Sequence, residues 1–107
     1  VREVLLNLYN NAKEAVESAN GPVREISVSA SRLDEKIRIM VADSGPGIPL
    51  EHRSRVFAPY FTTKEGGTGI GLAAVHQIVE GQGGRVSIED SELGGAAIIV
   101  EFPEQPN

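Results

Sequence analysis

Apolar residues Val4, Leu5, Leu8, Ala12, Ala15 and Val16 recur at steps of three and four near the start of the chain, the spacing that lines one stripe of a helix. The pattern predicts an amphipathic helix over residues 2–18, stopped by Gly21-Pro22. The period then changes to two: Ile26, Val28 and Ala30 alternate with Glu25, Ser27 and Ser29, as in a half-buried strand. Leu33-Asp34-Glu35-Lys36 is a polar hairpin connection, and Ile37-Arg38-Ile39-Met40-Val41 is a second strand that runs into Asp43. Residues 50–57 carry enough charge for one short exposed helix, which Pro59 ends or bends. The apolar stretch 72–79 predicts a buried helix, with Gly81 and Gly83-Gly84 placed for a left-handed cap. Residues 85–89 and 96–102 read as two more strands joined across 90–95, and 103–107 as a loose tail. Helix, hairpin, loop, helix, hairpin makes an α+β two-layer sandwich, its sheet mostly antiparallel and its helices on one face.

Composition narrows what such a sandwich can do. The 107 residues fit a single domain, 1–107, and 40% hydrophobic with 23% charged residues describes an ordinary globular protein rather than a disordered one. The absence of cysteine removes disulfides, thiolate zinc sites and cysteine nucleophiles. A net charge of -5 argues against nucleic acid as a partner, yet backbone N–H groups and one lysine can still hold an anionic small ligand. No apolar run has the length of a membrane span and no charged-then-apolar leader opens the chain. Because Val1 falls inside the first helical pattern, the chain reads as a fragment of a longer protein.

Three stretches carry candidate chemistry. Val41-Ala42-Asp43-Ser44-Gly45-Pro46-Gly47-Ile48-Pro49 ends an apolar strand in one acid and then in turn-forming residues. Asp43 either opens a turn or offers a carboxylate, at the end of a buried strand, to something that enters the fold. The first helix carries Asn7, Asn10 and Asn11, although asparagine is a poor helix former. Asn7 and Asn11 lie one turn apart beside the apolar stripe, as a solvated polar edge or as carboxamide oxygens suited to Mg²⁺. Gly66-Gly67-Thr68-Gly69-Ile70-Gly71 precedes a helix, where free N–H groups and the helix dipole attract phosphate. It is not a Walker loop, since Lys64 comes before the glycines, nor a dinucleotide fingerprint, since Leu72 stands where the third glycine belongs. Thr62, Thr63 and Lys64 could close over a triphosphate, and Phe57 and Phe61 would anchor that segment by packing. His52 and His76 are most simply surface residues.

In this order, Asn11, Asp43-Ser44-Gly45-Pro46-Gly47, Phe57 with Phe61, and Gly67-Thr68-Gly69-Ile70-Gly71-Leu72 resemble the N, G1, F and G2 boxes of the catalytic ATP-binding domain of sensor histidine kinases. The match spans nearly the whole chain. Phe57-Ala58-Pro59-Tyr60-Phe61-Thr62-Thr63-Lys64 followed by Gly66-Gly67-Thr68-Gly69 looks like the subgroup that includes nitrogen-regulatory kinases. The resemblance implies a Bergerat-type ATP-binding fold with a mixed, mostly antiparallel sheet. It implies that Asn11 coordinates Mg²⁺, that Asn7 and Lys64 approach the phosphates, and that Asp43 accepts the adenine amino group. Gly45, Gly47 and Ile48 would border the base. Phe57, Thr63, Gly67, Thr68, Gly69, Ile70, Gly71 and Leu72 would complete the nucleotide site, with residues 50–66 as its lid.

In gyrase and mismatch-repair relatives of this superfamily, a glutamate four residues before the Mg²⁺ asparagine activates water; here that position is Asn7, which cannot accept a proton as a base. The resemblance therefore implies a domain that presents the γ-phosphate of ATP to a histidine on a dimerisation domain of the same, homodimeric protein, with a response regulator next in line. It also implies a cytoplasmic place for the domain and a monomeric fragment. Neither histidine here has the usual phosphoacceptor context, Glu14 replaces a cation common near the phosphates, and Ala96 replaces a common threonine. An anti-sigma Ser/Thr kinase of the same superfamily and a nucleotide-free interaction module are the alternatives.

Overall fold

The computed structural model describes residues 2–18, 24–53 and 71–103. Its elements are α1 (Arg2–Ser18), β1 (Ile26–Leu33), β2 (Lys36–Asp43), a 3₁₀ turn (Leu50–His52), α2 (Gly71–Gly81), β3 (Arg85–Asp90) and β4 (Ala96–Pro103). The four strands form one sheet in the order β1-β2-β4-β3 with all three pairings antiparallel. Because β4 inserts between β2 and β3, those two strands run parallel, and the crossover joining them contains α2. No described helix is long and apolar enough to cross a membrane.

The core lies between this sheet and the two helices. Val4, Leu8 and Ala12 of α1 meet Ile39 and Val41 of β2, Val75 and Val79 of α2, and Ile98, Val100 and Phe102 of β4. Register explains why these strand residues cooperate: Ile39 stands opposite Val100, Val41 opposite Ile98 and Ile37 opposite Phe102, so all point to the helix side. Full burial of a side chain the size of Leu8 contributes about 1.5–3 kcal/mol. The expected two-layer sandwich is thus the observed one.

Two expectations need correction. The alternation in β1 predicts a buried face of Ile26, Val28 and Ala30, but only Ile26 is half-buried; Val28 is 54% exposed and Ala30 is exposed. β1 is an edge strand, and the helix layer is centred on β2 and β4, so its correct periodicity does not bring it full cover. The exposed helix expected over residues 50–57 begins instead as a single 3₁₀ turn, with His52 N–H bonded to Pro49 O at 2.9 Å and Arg53 N–H to Leu50 O at 3.2 Å. Pro49 holds an extended conformation (φ -56°, ψ 143°) and offers no side-chain cap, and residues 54–57 lie outside the described residues.

Chain reversals follow local chemistry closely. The β1–β2 turn has both central residues, Asp34 and Glu35, at positive φ (54° and 63°), the type I′ geometry whose twist matches two paired strands. The left-handed cap of α2 falls on Gly83 (φ 80°) rather than on Gly81, which is still helical. Gly84 N–H bonds to Val79 O at 2.9 Å and Gly83 N–H to Glu80 O at 3.0 Å, the paired bonds of a Schellman motif.

Candidate functional site

Asp43 closes β2 and is, among the described residues, the buried charged one, at 1% exposure. A carboxylate withdrawn from water is costly unless hydrogen-bond donors replace its hydration. Two backbone donors do so: Gly45 N–H at 2.9 Å and Ala96 N–H at 3.2 Å, both to Oδ1. Gly95 N–H donates to the Asp43 carbonyl at 3.1 Å. The Gly45 bond is the local Asx turn that Asp-Ser-Gly favours, whereas the Ala96 bond crosses from the far hairpin. Both donors converge on Oδ1, and among the described residues none donates to the second carboxylate oxygen.

The neighbours of this acid are small because the space is taken. A Cβ on Gly95 would overlap Asp43 Oδ1 and stand 2.6 Å from Gly45 N. A Cβ on Gly45 would lie 2.8 Å from the Ala15 carbonyl oxygen and 2.9 Å from its Cβ, so the absent side chain there serves close contact with α1. Gly47 needs its freedom for a left-handed φ of 80°. Ser44 fixes the other flank, its Oγ accepting from Glu25 N–H at 2.9 Å and its N–H donating to Glu25 O at 3.0 Å.

The contact at Ala15 ties the acidic loop to the asparagine helix. Asn11 is one turn before Ala15, about 6 Å along the axis, and Asn7 is one turn further; both are half-buried beside the core residues Val4, Leu8 and Ala12. Ile48 is half-buried and packs against the core, as does Leu72 in the first turn of α2, which Gly71 opens. The structure therefore brings the acidic loop to α1 through Gly45 at Ala15, one helical turn from Asn11. Phe57, Thr63, Lys64, Gly67, Thr68, Gly69 and Ile70 lie outside the described residues.

Beside the acidic loop is a recess of about 400 Å³ lined by Pro46, Gly47, Ile48, Arg53, Asp90 and Gly95 among others. Arg53 spans it: Nε donates to Ile48 O at 2.9 Å and Nη2 to Asp90 Oδ1 at 2.7 Å. Sequence reasoning missed Gly95, the Ala96 N–H, Arg53 and Asp90. Gly94-Gly95 was visible only as a turn signal, and no local pattern marks two residues that meet across 37 positions. Ala96, where a threonine hydroxyl is absent, serves Asp43 through its main-chain N–H. His52 and His76, expected at the surface, are half-buried, and His76 Nε2 lies 3.4 Å from Glu80 one helical turn on.

Among the described residues no group of three or more His, Cys, Asp or Glu side chains could hold a metal ion. The donor set that remains, an asparagine carboxamide, suits Mg²⁺ only in the form in which phosphate oxygens and water supply most of the shell.

A buried acid thus ends a sheet strand, backed by glycines, in a loop packed against the helix that also carries Asn7 and Asn11. The profile of the histidine kinase-, DNA gyrase B- and HSP90-like ATPase family matches residues 1–106, and the chain belongs to that family. Sensor histidine kinase ZraS of Escherichia coli O157:H7 is 46% identical over 101 residues, which cover 94% of this chain and 21% of ZraS. Nitrogen regulation protein NtrY of Azorhizobium caulinodans is 43% identical over 102 residues, 92% of this chain and 13% of NtrY. Among solved structures, the nucleotide-free catalytic domain of histidine kinase ThkA has a TM-score of 0.82 at 39% identity, covering 96% of this chain and 65% of that one. Full-length ShkA in complex with AMPPNP has a TM-score of 0.79 at 35% identity, covering 95% of this chain and 21% of that one. The chain thus spans 13% and 21% of the length of these two curated relatives.

Proposed function

We propose that this chain binds Mg²⁺-ATP as the catalytic domain of a sensor histidine kinase and presents the γ-phosphate to a histidine carried by a dimerisation domain of the same protein. The observation that carries the reading is the Asp43 carboxylate, buried, with one oxygen held by two N–H groups and the other given no donor among the described residues. An exocyclic amino group is the donor it fits. Guanine offers a carbonyl at the corresponding position and would set oxygen against oxygen with no proton between them, an uncompensated buried contact.

Fixing the base at one end and the phosphates at the other is most of what phosphoryl transfer asks of a protein, since the reaction needs alignment and charge stabilisation more than covalent chemistry. Asn7 and Asn11 face the phosphate end from α1; Asn11 would hold Mg²⁺, which when bound neutralises charge on the phosphate oxygens. Lys64 and the glycines at 67, 69 and 71 would approach the triphosphate, with Phe57, Thr63, Thr68, Ile70 and Leu72 completing the site. Asn7 has no basic lone pair to take a proton from water, so ATP waits for the histidine rather than being hydrolysed. The partner histidine domain acts within a homodimer, hands its phosphoryl group to a response regulator, and works in the cytoplasm; this domain alone is monomeric.

Calorimetric titration of the chain with Mg²⁺-ATP and Mg²⁺-GTP tests the reading. ATP binding at least about tenfold tighter than GTP is expected, the value of one good polar discrimination. Equal affinity for the two, or none for either, overturns it.

A further inference from the structure

The Asp43 site is held in a ring of contacts that only its last member closes. From Asp43 one arm runs through Gly45, whose N–H is bonded to Oδ1, to the carbonyl of Ile48. The other arm runs from Oδ1 to the N–H of Ala96, which pairs in register with Asp90 at the end of β3. Arg53 joins the two arms, donating through Nε to Ile48 O at 2.9 Å and through Nη2 to Asp90 Oδ1 at 2.7 Å. The open recess of about 400 Å³ lies along this bridge, lined by Ile48, Arg53, Asp90 and Gly95 among others.

We propose that Arg53 is a positioning residue for the purine end of the nucleotide, setting the distance between the 46–50 loop and the β3–β4 hairpin. The inference rests on the nucleotide-binding reading of Asp43. Arg53 acts through its neighbours: it holds the main chain at Ile48 and the side chain of Asp90, whose residue pairs with Ala96, so it links the two segments whose N–H groups aim the acid. The side chain is 20% exposed while that of Asp90 is 90% exposed, so one partner is held and the other is wet. Such a pair adds little to global stability. Two directed bonds from one planar guanidinium nevertheless fix a separation that a lysine, with its single flexible ammonium, could not.

The chain itself is titrated with Mg²⁺-ATP and Mg²⁺-ADP. Arg53→Met, which keeps the length of the stem and removes both bonds, is expected to weaken both nucleotides by the same factor, about fivefold, the scale of one or two net hydrogen bonds. Asp90→Asn is expected to weaken them about threefold, and the double variant no further than Arg53→Met alone, because both changes open the same ring. The nucleotide-free melting temperature should stay within about 2 °C of the unaltered chain, as for an exposed pair. Unchanged affinity in Arg53→Met overturns the proposal, as do losses that multiply in the double variant. A loss confined to ATP would make Arg53 a phosphate ligand and equally overturn it. Should Arg53→Met fail to fold, Asp90→Asn decides, since its exposed side chain can be changed without cost to the core. Absence of binding by the unaltered chain would remove the nucleotide reading itself and the positioning role with it.

Discussion

The two hairpins have the same antiparallel pairing and yet differ in what they can tolerate. In β1–β2 a two-residue turn at Asp34-Glu35 points into solvent, and the outer strand is exposed along most of its length. In β3–β4 the connection carries Gly94 at φ 104°, then Gly95 with no room for a Cβ, then the Ala96 N–H that holds Asp43. One hairpin is stabilised by its own register. The other supplies backbone donors to a buried acid on a strand outside it, so its geometry is constrained from both ends.

Gly95→Val puts the largest strain on that contrast. Its side chain would overlap Asp43 Oδ1, and overpacking combined with displacement of the carboxylate's donors should cost about 3 kcal/mol of stability, read by urea denaturation, together with nucleotide binding. A loss below about 1 kcal/mol would show the site to be softer than drawn. Asp43→Asn comes next and separates binding from folding. The carboxamide oxygen can still accept from Gly45 and Ala96, so stability should change by no more than about 1 kcal/mol, while ATP affinity falls about a hundredfold as a donor comes to face the adenine amino group. Unchanged affinity would return Asp43 to a turn residue.

The tolerant hairpin gives smaller effects. Val28→Thr, on a face that register predicts buried but the edge leaves 54% exposed, should shift stability by about 0.5 kcal/mol or less. A loss above about 1.5 kcal/mol would mean that the edge is covered in solution. Glu35→Gly should raise stability by about 0.5–1 kcal/mol, since glycine adopts the positive φ of this turn without steric cost. A lower melting temperature would contradict the type I′ geometry.

Much of this was legible in the chain before it was folded. The three- and four-residue spacing of Val4, Leu8 and Ala12 gave α1, the apolar runs gave β2, α2 and β4, and Gly83-Gly84 marked the end of α2 to within two residues. Asp43 stood out because an acid at the end of an apolar strand must find donors. The exposure of Val28 was not legible, because periodicity gives the side a residue faces but not whether anything covers that side. That the segment after Pro49 starts as a 3₁₀ turn was not legible for a related reason: charge marks exposure, not the hydrogen bonds that decide helix type.

Sequence by itself determined the elements and the candidate acid, since hydrophobic period, turn residues and local Asx geometry act over a few positions. Tertiary structure alone decided which donors serve that acid. Ala96 and Gly95 reach Asp43 only because β4 inserts beside β2, Gly45 is needed only because α1 brings Ala15 against it, and Arg53 meets Asp90 only because the loop folds back over the β3–β4 hairpin. These contacts join residues far apart in the chain, and their existence depends on strand order and close packing, which no local pattern encodes.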